Sequence, residues 1–86
     1  MERVGSVAAL IALSAVGDPA AVAIVDALDE EARLVVAAQR EPPPARLAWM
    51  RAHSGEEWSA ARLAHVEQRA FVEIRRALQR RGLWQS

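Results

Sequence analysis

Cysteine, lysine, threonine, asparagine and tyrosine are all missing from this 86-residue chain. The absence of cysteine excludes a disulfide framework and thiolate chemistry, and it leaves the redox compartment unmarked. The absence of lysine makes every basic side chain except two histidines an arginine, eleven in all. Lysine, asparagine and tyrosine codons are AT-rich, so their joint loss points to GC-rich coding and a high-GC bacterium or its phage. Glycine is scarce, and Gly5 and Gly17 stand alone, so no glycine-rich phosphate loop can form. No strand-like alternation, low-complexity tract or repeat runs through the chain.

Long apolar runs are also lacking. Val4 to Gly17 is too short to span a bilayer, and Asp18-Pro19 interrupts it. Lying behind Met1-Glu2-Arg3 and ending in Ala15-Val16-Gly17, it has the outline of an export signal. Its leading segment, however, carries one acid and one base. The reading adopted is a buried helix of a cytoplasmic protein.

What is present is an apolar half, 52% of the residues, which excludes a wholly disordered tail. Much of it is alanine, a strong helix former with little to bury. The heavier core must therefore come from Leu, Ile, Val and Trp. A chain of this length forms one domain with a modest core, for which a partner or self-association is a natural supplement. The net charge is zero, but residues 1–45 carry −4 and residues 46–86 carry +4. Such halves either attract charged partners or pair with each other, and pairing within the domain is the preferred reading.

Helix punctuation divides the chain into about five helices. Gly17 closes the first, Glu2 to Val16. Asp18-Pro19 opens the second, Ala20 to Leu28, with an acidic cap and proline at the first helical position. Asp29 caps the third, whose first turn holds Glu30 and Glu31 and whose inner stripe is Leu34, Val35 and Ala38. Glu41-Pro42-Pro43-Pro44 ends it as a stiff linker. A fourth helix follows, Ala45 to His53. Ser54-Gly55-Glu56-Glu57 has capping-box spacing, predicting one long helix from Ser54 to Trp84 that closes at Arg80-Arg81-Gly82-Leu83. The expected fold is all-α: a compact bundle or short superhelix, with apolar helices in 1–40, a proline linker at 41–44 and a basic part in 45–86.

On the long helix, Leu63, Val66, Ala70, Ile74, Ala77 and Leu78 share one side, with Phe71 at its edge. Glu67 falls in the same sector. It either reaches from the rim toward Arg33, Arg81 or water, the favoured alternative, or contacts a partner. Arg62, Arg69 and Arg76 recur every seventh residue, followed by Arg80, beside Trp58 and interrupted by Glu73. A strip of this kind is usually solvated. The excess of arginine and the nearby tryptophan favour an interface here, because both are common hot-spot residues. Trp49 belongs to the core with Leu47 and Met50. Trp58 stacks on Arg62, and Trp84 either folds back on Leu78 or anchors a neighbour.

The catalytic inventory is thin. His53 begins like an H-x-x-E metal motif, but Glu57 occupies the place of the second histidine, and His65 lies beyond the cap. The serines lack a His-acid pattern. No catalytic, cofactor or metal residue is assigned, and no small-molecule substrate.

Ala8 to Ala38 resembles the helix–turn–helix units of the N-terminal region of the flagellar motor switch protein FliG. It is also similar to the cytosolic N-domain of MgtE-type magnesium transporters. Each shows an apolar helix, a Gly-acid turn, a short helix ending in Leu and an acid-rich start to the next. The resemblance covers about a third of the chain and implies a right-handed helical stack used for protein contacts. It carries over no active-site residue, and the chain has no room for the later FliG domains.

The expected function is a non-enzymatic interaction or assembly subunit. Trp58, Arg62, Arg69, Arg76, Arg80 and Trp84 would meet another protein or a second copy of the chain. The alternative is a small helix-turn-helix-like nucleic-acid binder, disfavoured by near-zero net charge and the lack of a basic arm.

Overall fold

The computed structural model describes all 86 residues and is all-helical. Three short helices come first: α1 (Val7–Ala15), α2 (Pro19–Asp26) and α3 (Glu30–Ala38). A 3₁₀ turn at Pro43–Ala45 leads to α4 (Arg46–Ser54), and α5 (Ala60–Arg80) closes the chain. At about 1.5 Å per residue, α5 runs roughly 31 Å, most of the 37 Å long dimension of the molecule.

The caps of α2 and α3 lie where their sequence signals stand. Asp18 accepts from the Ala21 N–H at 3.0 Å, and Asp29 from the Ala32 N–H at 2.8 Å. Each carboxylate satisfies a first-turn donor that has no helical partner. Gly17 takes φ +85° between α1 and α2, which cross at 107°. At the far end the Leu83 N–H donates to the Leu78 carbonyl at 2.8 Å, across Gly82 at φ +69°. That is a Schellman closure, with Leu83 packed against the cluster that holds Leu78.

Two helix starts differ from expectation, and the last helix ends at Arg80 and not at Trp84. The first helix starts at Val7, capped by Ser6, and not at Glu2. The residues before it are extended: Val4 N–H donates to the Leu83 carbonyl at 2.9 Å, and Gln85 N–H donates to the Val4 carbonyl at 2.8 Å. Val4 is buried by this clasp. The long helix starts at Ala60, not Ser54. Ser54 ends α4, Gly55 at φ +69° caps it, and the Ser54 hydroxyl accepts from the Glu56 N–H. The α5 cap is Ser59, whose hydroxyl accepts from the Arg62 N–H at 3.0 Å. Trp58 therefore lies in the connection before α5 and not in its first turn.

Two apolar clusters form the interior, and α5 joins them. One gathers Leu10, Ile11, Ala21, Ile24, Leu28, Ala32 and Val36 against Ala70, Ile74 and Leu78. The other gathers Val35, Ala38, Met50 and Trp58 around Val66. The inner face of α5 is thus the predicted stripe: Val66, Ala70, Ile74 and Leu78 are buried, while Leu63, Phe71 and Ala77 lie half-buried beside them. The stripe of α3 is broader than expected, adding Ala32 and Val36, while Leu34 is only half-buried. No single helix is long and apolar enough to cross a membrane.

Candidate functional site

The arginine strip of α5 divides into two parts according to what faces it. Its N-terminal half lies beside the acidic first turn of α3. Arg62 Nη2 donates to Glu31 Oε2 at 2.7 Å and to Glu56 Oε2 at 3.1 Å, and Arg62 Nη1 donates to the Glu57 carbonyl at 3.2 Å. Arg69 pairs with Asp29, with Glu31 at 3.5 Å and with Glu73 at 3.7 Å. The acidic and basic halves of the sequence meet here, within one chain. These pairs are partly solvated, so screening keeps each weak, and their effect is to fix how α5 lies across α3.

The electrostatics follow from those contacts. Hydrogen bonding from Arg69, then from the Ala32 N–H, holds the Asp29 carboxyl below its ordinary value. Hydrogen bonding to Glu31 raises Arg62, and hydrogen bonding to Asp29 raises Arg69. Asp29 thus does two tasks, capping α3 and anchoring α5.

The predicted site residues therefore separate. Trp58 does stack with Arg62, 3.8 Å from guanidinium carbon to ring centroid, but it is 2% exposed and offers no surface to a partner in this fold. It moves inward because it sits in the turn before α5 and fills the space between α3 and α4. Arg62 and Arg69 are occupied by internal pairs. Arg76 and Arg80 remain exposed and make no ion pair. Trp84 is half-buried against the first cluster and carries the Arg75 guanidinium at 5.0 Å from its ring.

Two further arginines, Arg75 and Arg81, lie at the same end of the molecule, and the Val4–Trp84 bridge brings the segment holding Arg3 to it. Reading one strip of the helical wheel missed them, because Arg75 belongs to the opposite flank of α5 and the terminal clasp has no local sequence signal. Glu67 finds a partner that was not foreseen: Gln39 Nε2 donates to it at 2.8 Å and also to the Val35 carbonyl. Trp49 is half-buried and stacks on His53 with centroids 4.0 Å apart.

A hollow of about 570 Å³ opens beside Arg62, lined by Glu30, Glu31, His53 and Glu56 among others. His53 Nδ1 is engaged at 2.9 Å from the Trp49 carbonyl. No group of three or more His, Asp or Glu side chains could hold a metal ion.

On the other flank of α5 the surface changes character. Two hollows, about 400 and 310 Å³, lie on either side of Phe71. One runs along α5 past Ala64, Val72 and Trp84, and the other along α1 past Ala8, Ala12 and Ala15. No family model, curated protein or solved structure matches the chain.

Proposed function

We propose that this protein is a non-enzymatic interaction or assembly subunit of a bacterial or phage complex, working in the cytoplasm. It docks on another protein or a second copy of itself through the C-terminal half of α5. The observation that carries this reading is the division of the arginines. Along α5 and its C-terminal cap, Arg62 and Arg69, which face α3, are neutralised, whereas Arg75, Arg76, Arg80 and Arg81 make no ion pair. Charge left unpaired at one end of so small a fold is suited to partner recognition, and arginine is favoured for it. The likeness of Ala8–Ala38 to the FliG and MgtE helical units leads the same way.

Nucleic-acid binding is the second reading, favoured by the same cationic end. A net charge of zero weighs against it, since duplex affinity depends on releasing counterions through excess base. The two are separated by a photo-crosslinking residue placed in the cell at Arg76 or Arg80, with Glu30 as the control on the acidic side. Protein adducts from the arginine positions, absent at Glu30 and lost on Arg76→Glu with Arg80→Glu, support the docking reading. Nucleic-acid adducts, or none from either position, overturn it.

A further inference from the structure

The outer face of α1 is apolar and nothing in the chain covers it. Val7–Ala15 contains no charged residue, and its one hydroxyl, Ser14, donates back to the Ile11 carbonyl at 2.8 Å. A helix apolar on all sides is normally buried on all sides. Here only Leu10 and Ile11 are buried, while Ala8, Ala12 and Ala15 face solvent and Val16 after them is 81% exposed. Across from them stands α5, with Phe71 half-buried between the two hollows and Val72 41% exposed.

The rim of this valley has one dominant sign. Arg40 and Arg46 line its α1 end and Arg75 its α5 end. None of the three forms an ion pair; Arg46 Nε is held by the Glu41 carbonyl at 3.0 Å, and Arg75 by the face of Trp84. The one carboxylate on the rim, Glu67, already accepts from Gln39.

We propose that the valley between α1 and α5 seats an amphipathic helix whose apolar face lies over Phe71 and whose flanks carry acidic residues paired with Arg40, Arg46 and Arg75. This rests on the protein-docking reading above and names the chemistry of the partner. An apolar floor with cationic edges complements such a segment in both hydrophobicity and charge. The concave shape favours a helix over a membrane. A bilayer surface is met by protruding apolar side chains, whereas here hollows flank the central aromatic.

The test uses the full chain and a synthetic amphipathic peptide of about 18 residues, five helical turns, with leucine on one face and glutamate on the flanks. A second peptide has lysine in place of every glutamate. Binding is followed by anisotropy of a labelled peptide and by amide chemical shifts. The acidic peptide is expected to bind saturably, shifting Ala8, Ala12, Phe71 and Val72. Arg40→Glu with Arg75→Glu should weaken it about tenfold or more without lowering the melting temperature. Ala12→Arg, which fills the floor of the valley, should do the same.

Equal binding of the lysine peptide overturns the proposal, as do shifts confined to the acidic turn of α3. Partition onto anionic phosphatidylglycerol vesicles with no peptide binding makes the face a membrane surface instead. Concentration-dependent sedimentation that Ala12→Arg abolishes makes it a self-contact. If crosslinks from Arg76 and Arg80 capture protein while the acidic peptide fails to bind, the valley proposal falls alone. If the peptide binds but those positions capture nothing, the docking reading through the end of α5 falls instead.

Discussion

The guanidinium of Arg62 lies 3.8 Å from the centre of the Trp58 ring while its nitrogens reach Glu31 and Glu56. One side chain thereby ties the first turn of α5 to the connection before it and to the start of α3. Trp58 below is 2% exposed and packs with Val35, Ala38, Met50 and Val66. Cation–π contact and ion pairing work here on the same residue, and both hold the fold together.

Trp58→Ala should therefore destabilise the domain by about 3–5 kcal/mol, the usual result of emptying a large aromatic site. Trp58→Phe should cost much less. The indole Nε1–H is buried without a hydrogen-bond acceptor, and removing an unpaired buried donor offsets part of the lost contact. Urea unfolding of both variants checks this. Equal losses for Phe and Ala would mean that a ring packed at this site contributes nothing to stability.

Acid should loosen the α3–α5 contact through Asp29. Its folded-state value lies below the ordinary 3.8, chiefly because of the hydrogen bond from Arg69. A carboxylate depressed in this way contributes stability that is complete above its unfolded value. That stability is lost as the pH falls through the folded value. Asp29→Asn retains a capping side chain but not the charge. Melting temperatures recorded from pH 6 to pH 2 should fall less steeply for the variant below about pH 4, with the native and variant curves converging. Parallel curves would remove the Arg69 pairing from the account.

How much of this was legible in the sequence depends on how local each signal is. Asp18-Pro19 and Asp29 place their helix starts correctly, because a cap is a contact over three residues. The inner face of α5 is legible because one period repeats across 21 residues. The start of α5 is not. The capping-box spacing points to Ser54, whereas the cap is Ser59, and Trp58 just before it is buried against residues of α3 and α4. The arginine strip is visible on a wheel, and Glu56 and Glu73 are near it in sequence, but Glu31 and Asp29, which tie Arg62 and Arg69 to α3, lie 31 and 40 residues earlier. The uncovered valley is half legible, since the lack of charge in α1 shows in the sequence and its exposure does not.

Gly55 is the device that separates α4 from α5. At φ +69° an added Cβ meets no neighbouring atom, so Gly55→Ala tests backbone strain alone. The left-handed conformation costs an L-residue about 1–2 kcal/mol. A loss of that size in thermal or urea unfolding is expected, whereas Gly5→Ala, at ordinary φ and with only a 4.0 Å approach to the Gln85 carbonyl, should be near neutral. Equal effects at the two glycines would be inconsistent with a helix break at 55.

The terminal clasp should be visible in hydrogen exchange. The amides of Val4 and Gln85 donate across the two ends of the chain at 2.9 and 2.8 Å. Val4 also contributes to the first apolar cluster, so opening the clasp costs buried surface as well as two hydrogen bonds. Both amides should exchange more slowly than those of Arg3 and Ser86, and Trp84→Ala should accelerate both together. Fast exchange at Val4 in the native chain would show that the extended segment does not pair.

The two sides of α5 make opposite demands on the same experiment. Ile74 and Leu78 are fully buried, and truncating either to Ala removes transfer energy and leaves a cavity, costing about 2–5 kcal/mol. For a domain of this size that is a large share of the total. Arg76 and Arg80 are exposed and unpaired, so Arg76→Ala or Arg80→Ala should change stability by less than about 0.5 kcal/mol while weakening association. Urea titrations and binding measured on one set of variants separate the roles. Ile74→Ala should weaken association only to the extent that it unfolds the chain, so conditions that restore its fold should restore binding. Suppose instead that Ile74→Ala abolishes association at an unchanged melting temperature, while the arginine variants bind normally. The buried stripe would then be the interface, reached by an opening of α5, and the exposed arginines would be only a solvated end.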